Sequence, residues 1–333
     1  MKLDAIGFGS LNLDEFWEVP ESFLLRHGLE TGREYVRDSH WFQEVYPLLR
    51  EEGVLKAVDP GGSAANMIAA LRRMGFVTGF FGSCGNDGLE SLRLNELGDR
   101  PNLRVEIADA PTGRCLCLIN SEDENRDRCL VILHNANDLA GGSHLDLSYF
   151  LNARCIHMTS FVSRQPLEVQ KQLVQRLPDS SRISFDPGAV YSGLGMDALR
   201  PILQRSNALF TTEEEIAALT GCREVEKSVA VLLEMGSIET IIMKLGSRGL
   251  QAITGHGIFH QAAVRPMRIV DRTGAGDVAA AGFVAGVLMD LGVQECLELA
   301  AKAASKSIEG YGRSTYPGRD LIDSFQPGEA SRV

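Results

Sequence analysis

Seven residues near the C-terminal end, Asp271-Arg272-Thr273-Gly274-Ala275-Gly276-Asp277, carry the densest chemistry in the chain. Two glycines flank a small residue, an acid follows, and the apolar stretch Val278-Ala279-Ala280-Ala281-Gly282-Phe283 opens at once. At such a loop-to-helix junction the first backbone N–H groups lack partners and the helix dipole is positive, which together make an anion site. A carboxylate held beside that site has a use if it takes a proton while negative charge builds next to it. Phosphoryl transfer to an alcohol needs this pairing. Taken alone, the same residues also read as a glycine-rich turn entering a buried helix.

A second motif favours the chemical reading. Gly61-Gly62-Ser63-Ala64-Ala65-Asn66 follows Pro60 and leads into a helical pattern with apolar positions at 67, 68, 71 and 74, closed by Gly75. Asn66 falls in the first turn of that helix. Its amide can serve a ligand hydroxyl beside a glycine backbone that a ligand can approach closely, or it is an internal helix Asn with no such role.

These two motifs, in this order and roughly two hundred residues apart, resemble the signatures of the ribokinase-like (PfkB) carbohydrate kinases. That family includes ribokinase, fructokinase, adenosine kinase and related nucleoside kinases. The resemblance runs from Ala5 to about Pro317. It extends to Ile6-Gly7-Phe8-Gly9-Ser10-Leu11-Asn12-Leu13-Asp14, to Phe81-Gly82-Ser83-Cys84-Gly85-Asn86-Asp87, to Pro111-Thr112-Gly113 and to Ile241-Ile242-Met243-Lys244-Leu245-Gly246-Ser247-Arg248-Gly249. Two departures stand out. Thr212 occupies a place where the family usually has Asn, three residues before Glu215, and Arg272 occupies a place usually held by a small hydroxylated residue. Arg272 reads either as a phosphate contact or as a solvated loop charge.

The resemblance implies an ATP-dependent kinase with ATP and Mg2+ as cofactors. Asp277 is then the general base, and the backbone of Gly274, Ala275 and Gly276 stabilises the γ-phosphoryl. Asn12, Asp14, Gly61, Gly62 and Asn66 are implied to hold the acceptor. Thr212, Lys244, Gly246, Gly249, Thr273, Gly310 and Gly312 are implied for the nucleotide. Glu215 is implied to organise magnesium through water, and Asp271 to contribute to a site for a monovalent cation such as K+. A sugar acceptor is the leading reading and a nucleoside the alternative. Phe16, Trp17 and Tyr35 in the lid region could stack on a base, although core packing suits them better. Thr212 alone suggests a reading of another class, a non-catalytic small-molecule sensor on the same fold.

Composition fits such an enzyme. The chain has 333 residues, 44% hydrophobic and 23% charged, which is ordinary for a globular protein. Thirty-three basic against 44 acidic residues give a formal charge of −11, which argues against nucleic-acid partners. It does not argue against ATP, which local dipoles and a few cations can hold. No basic start leads into an apolar N-terminal segment, and the longest apolar stretch, 278–289, is too short to span a membrane. The seven cysteines show no Cys-x-x-Cys pair and the histidines no metal-ligand spacing. Cys115 and Cys117 alternate on a strand and read as packing. These features predict reduced thiols and a cytoplasmic location, with no membrane partner.

The elements that must position the motifs alternate. Strand-like runs at 5–9, 77–82, 155–158, 182–186, 208–210 and 240–245 are separated by helical runs at 64–74, 166–177, 213–219 and 227–235. Such alternation predicts a three-layer αβα sandwich with a mostly parallel central sheet, formed by one α/β domain over residues 1–333. Two apolar runs, 114–119 and 128–133, flank a charged loop and predict a hairpin. With the segment from Leu13 to Arg37 it matches where the family carries a small β-sheet lid, expected at about 13–37 and 103–135. A lid would exclude water from phosphoryl transfer; a homodimer contact through the same sheet is compatible with it. The tail after Gln326 reads as frayed.

Overall fold

Short apolar runs bounded by Gly, Pro and Asp alternate with longer amphipathic ones, and the backbone follows that alternation. The computed structural model describes residues 2–87, 91–123, 128–142 and 145–325. Its strands are β1 (Leu3–Phe8), β2 (Asn12–Val19), β3 (Glu34–Val36), β4 (Val54–Gly61), β5 (Thr78–Gly85), β6 (Leu103–Ala108) and β7 (Gly113–Asn120). They continue with β8 (Arg128–Leu133), β9 (Ala153–Thr159), β10 (Ile183–Asp186), β11 (Ala208–Thr211), β12 (Thr240–Lys244), β13 (Leu250–Thr254) and β14 (Gly257–Gln261).

Nine strands form one sheet in the order β14-β13-β12-β11-β10-β9-β1-β5-β6. The run from β6 to β12 is parallel, and β13 and β14 return antiparallel at one edge. Strands covered on both faces read as near-continuous apolar runs, as Ile241-Ile242-Met243 does. Successive side chains leave to opposite faces. Ala5, Phe210 and Ile242 pack with helices Ser63–Arg73, Ala275–Leu288 and Val293–Ser307. Ile6, Phe8, Leu209 and Ile241 pack with helices Arg164–Arg176, Gly195–Leu203 and Glu213–Thr220. The result is the expected αβα sandwich. The apolar helix Ala275–Leu288 is buried among helices Ser63–Arg73 and Val293–Ser307 and the sheet. A Cβ at Gly282 would lie 2.6 Å from the Cα of Ala300, so glycine is what permits its close approach to the next helix. No helix among the described residues is long and apolar enough to cross a membrane.

Five strands form a second sheet, β3-β8-β7-β2-β4. The expected hairpin is β7–β8, an antiparallel pair; residues 124–127 of its charged loop lie outside the described residues, as does the tail from Gln326. One face of this sheet packs Trp17, Leu116, Leu118 and Val131 with residues of helices Glu21–Arg26 and Ser39–Glu52. The other face carries Phe16, Cys115 and Cys117.

The boundaries expected for this sheet need correction. Leu103–Ala108 is β6 of the large sheet, paired with β5, whereas Val54–Gly61 joins the small sheet as β4, paired with β2. The physical reason lies in edge strands. β6 alternates apolar and charged residues as any half-exposed strand does, which does not say which sheet it joins. β4 leaves Val54, Leu55 and Val58 exposed and ends in Pro60-Gly61, residues that ordinarily mark a break.

Candidate active site

Beyond the carboxyl ends of the parallel strands lies a cavity of about 1080 Å³, where ligands bind in open α/β sheets. Ser160, Asp186, Thr212 and Lys244, at or just after the ends of β9, β10, β11 and β12, line it. The small sheet adds Asp14, Cys115, Leu130 and Ile132 to the same lining.

Helix Ala275–Leu288 starts in this cavity. Gly274 has φ 75°, a left-handed conformation suited to glycine, and a Cβ there would come within 2.9 Å of the Tyr316 hydroxyl oxygen. No side chain caps this helix, so the N–H groups of Gly276 and Asp277 have no intrahelical acceptor. Arg272, Thr273, Gly274, Ala275 and Gly276 all line the cavity. The loop read as an anion site therefore opens onto the cavity.

Asp277 is held by the second motif. Its Oδ1 accepts from the Ser63 hydroxyl at 2.7 Å and its Oδ2 from Asn66 Nδ2 at 3.0 Å. Both donors stand on the helix that Gly62 starts, with φ 97° and a Cβ position that would overlap the Ser10 carbonyl oxygen. Burial pushes the Asp277 carboxyl up to about 6, against the Ser63 and Asn66 hydrogen bonds, which favour its charged form; Asp186 adds to the rise and Lys244 opposes it. The proton affinity suits a base working near neutral pH.

In the half expected to hold the acceptor, Asp14 is buried and its Oδ1 has no hydrogen-bond partner. Burial raises its carboxyl to about 8, Arg313 opposes that, and the Asp277, Asp271 and Asp59 charges add to it. Asn12 also lines the cavity, and its Oδ1 accepts from Asn137 Nδ2 at 2.8 Å. Gly61 does not line the cavity. Its missing side chain makes room for the Asp14 carboxyl, which a Cβ would overlap.

On the other half stand Thr212, Glu215, Lys244, Gly246 and Gly249. Lys244 Nζ donates to Asp186 Oδ2 at 2.7 Å and lies 3.7 Å from Glu215 Oε2. Burial opposes its charge, but the two carboxylates outweigh burial and its pKa is raised. Burial likewise raises Glu215, with Lys244 opposing. The Thr212 departure has a plain structural account. Its hydroxyl accepts from Glu215 N–H at 3.1 Å, while Glu215 Oε2 accepts from Thr212 N–H at 2.8 Å. This is a closed capping box, so threonine does the capping here.

Some residues expected at the site lie outside the cavity lining. Gly310 and Gly312, expected at the nucleotide, do not line the cavity; Ala304, Ser305 and Ile308 do. Their turn folds back onto β4 instead, with Gly312 against Asp59 and the Arg313 N–H donating to the Asp59 carboxyl. Asp271 lies behind the wall, its Oδ1 accepting from Thr273 N–H and Oγ1 and its Oδ2 buried without a partner. Phe16, Trp17 and Tyr35 are packed in the small sheet and none lines the cavity.

Three residues were not singled out by the sequence reading. Asp186 had a signal, since it ends a readable strand at the ligand edge. Asn137 and Arg313 had none. Both act through distant partners: Asn137 Oδ1 accepts from Leu11 N–H, 126 residues away, and Arg313 Nε donates to Asn66, 247 residues away.

Comparison with known proteins agrees with this geometry. Residues 46–317 match the pfkB family carbohydrate kinase profile. An uncharacterized sugar kinase of Archaeoglobus fulgidus is 28% identical over 73% of this chain and 95% of its own length. A ribokinase of Arabidopsis thaliana is 27% identical over 75% and 67%. Among solved structures, adenosine kinase from Sinorhizobium meliloti has a TM-score of 0.81 at 18% identity, covering 97% of this chain and 98% of its own. Arabidopsis thaliana ribokinase complexed with ribose and ATP has a TM-score of 0.73 at 21% identity, over 98% and 100%. With the profile spanning most of the chain and both glycine motifs meeting in one cavity, the protein belongs to the pfkB family of carbohydrate kinases, ATP-dependent phosphotransferases that act on sugar hydroxyls.

Proposed function

We propose that the acceptor is a small sugar of the ribokinase or fructokinase kind, and that Asp277 takes the proton from its reacting hydroxyl. The observation that carries the base assignment is a half-buried carboxylate fixed at an uncapped helix start, beside amides free to bind an anion. Asp14 Oδ1 is buried without a hydrogen-bond partner, and a substrate hydroxyl would supply one. Asn12 and the Gly62 backbone lie in the same half of the cavity and would hold further hydroxyls. The Gly274–Gly276 backbone would take the charge growing on the transferred phosphoryl, the largest contribution of such a site. Arg272 and Lys244 would meet phosphate oxygens.

Mg2+ keeps several waters and binds through one or two carboxylates plus substrate phosphates; Glu215, which lines the cavity, would hold it through water. When bound, Mg2+ would neutralise charge on the phosphates. Asp271 Oδ2 is buried without a hydrogen-bond partner and would hold a monovalent cation, with Arg128 Nε 3.9 Å from the other oxygen.

A nucleoside acceptor is the second reading, favoured by the aliphatic surface of Leu130 and Ile132 in the cavity. No stacking argument supports it, since Phe16, Trp17 and Tyr35 do not line the cavity. The sensor reading has lost its motive, because the Thr212 capping box is intact.

A coupled ADP-release assay over ribose, fructose, adenosine and inosine tests the assignment. Turnover on a sugar upholds it, turnover on nucleosides alone transfers the activity to the second reading, and ligand binding without ADP release defeats both. The pH profile is a further check. A base at about 6 must be deprotonated to work, so kcat/KM should fall roughly tenfold per unit as the pH drops below that value. A profile flat down to about pH 5 removes Asp277 from the role.

A further inference from the structure

Arg313 is 1% exposed and is the largest of the fully buried side chains. A buried guanidinium must be paired or hydrogen-bonded, and its donors show what it serves. Nε donates to Asn66 Oδ1 at 3.1 Å. Nη1 lies 3.4 Å from Glu96 Oε2 and Nη2 lies 3.5 Å from the Gly61 carbonyl oxygen. The shortest of these side-chain contacts therefore goes to a neutral amide, although a carboxylate is within reach.

The chemistry of the three groups fixes that amide. A guanidinium has donors only, an ionised carboxylate acceptors only, and a primary amide one end of each kind. Asn66 stands between Arg313 and Asp277. Only one orientation satisfies both neighbours: the oxygen toward Arg313 and the NH2 toward Asp277. The flipped amide, nearly identical in shape, would set its oxygen against the carboxylate and its NH2 against the guanidinium. Without Arg313 the flip has no penalty at one end, and Asp277 loses its Oδ2 anchor while keeping only the Ser63 hydroxyl on Oδ1.

We propose that Arg313 is a positioning residue for phosphoryl transfer: by holding the Asn66 amide in one orientation, it keeps the Asp277 carboxylate aimed at the acceptor hydroxyl. The inference rests on Asp277 being the base. Groups acting on Asp277 come from every side of it. Ser63 and Asn66 belong to helix Ser63–Arg73, Asp186 and Lys244 to the ends of β10 and β12, Asp14 to β2, and the Tyr316 phenol to the turn after Arg313. Arg313 reaches Asp277 through Asn66, whereas its charge acts directly on Asp14.

The test compares Arg313→Met, Asn66→Ala and their combination, with ATP and the panel substrate of highest turnover. Arg313→Met should lower kcat roughly 10²-fold, the scale on which a misplaced reacting group is felt, and leave KM for ATP within about twofold. The acid limb of kcat/KM should move to higher pH, because a hydrogen bond that favours the charged carboxylate is gone. The double variant should be no slower than Asn66→Ala alone, as two residues acting through one contact are not additive. If Arg313→Met does not fold, Arg313→Lys keeps the buried cation while withdrawing the Nε–H, and the same kcat loss and limb shift are expected. Multiplying losses in the double variant, or Arg313 variants with wild-type kcat and an unmoved limb, overturn the proposal. Asp277→Asn separates the two assignments: an active Asp277→Asn overturns the base itself, whereas an inactive one beside a fully active Arg313 variant overturns only the positioning role.

Discussion

Asp277→Asn is expected to fold normally, to bind ATP, and to lose between about 10² and 10⁴ of its turnover, the range a positioned base contributes. The substitution preserves shape and removes basicity. The Asn oxygen can still accept from Ser63 or from Asn66, the two donors that hold the carboxylate, so the helix start should be undisturbed. The change should also be neutral or favourable for stability, because the carboxyl it removes is raised to about 6 in the fold. Turnover, ATP binding and thermal midpoint measured together test this, and a variant working at the wild-type rate would exclude the base assignment.

Lys244→Met should act on stability as well as on activity. Lys244 and Asp186 form a pair with side chains 15% and 4% exposed, and Glu215 lies on its other side. Withdrawing the cation leaves the buried Asp186 and the half-buried Glu215 without their shared counter-charge. Removing one partner of a buried pair typically costs about 3–5 kcal/mol, so the midpoint in urea should fall markedly. Adding Asp186→Asn should restore much of that loss, since it removes one of the stranded charges. It should not restore ATP affinity if Lys244 meets the phosphates. Recovery of both stability and ATP affinity in the double variant would show the lysine to be structural only.

Local signals picked out the two glycine motifs because each opens where the backbone itself is unusual. Gly62 and Gly274 hold left-handed conformations at helix starts, and glycine announces such places in one dimension. Asp277 and Asn66 are legible for the same reason, one and four residues beyond a glycine. The alternation of strands and helices was equally legible, since burial on both sheet faces needs continuous apolar runs. The edge strands were not. β4 carries exposed valines and a terminal Pro-Gly, and β6 an alternation that either sheet would accept, so neither showed its sheet.

Gly310, Gly312 and Arg313 show the limit most clearly. In the chain they form a polar glycine turn of the sort that lines a nucleotide site. In the fold the turn docks on Asp59 and sends the Arg313 guanidinium inward to Asn66. The chain's own order settles which residues have the conformational freedom and acid–base chemistry for phosphoryl transfer, because those are properties of single residues and short spacings. Which residues meet depends on contacts across more than 200 positions, from Ser63 and Asn66 to Asp277 and from Arg313 to Asn66. Burial, which raises Asp277 and Asp14 and makes their partners matter, arises only when distant segments close around them.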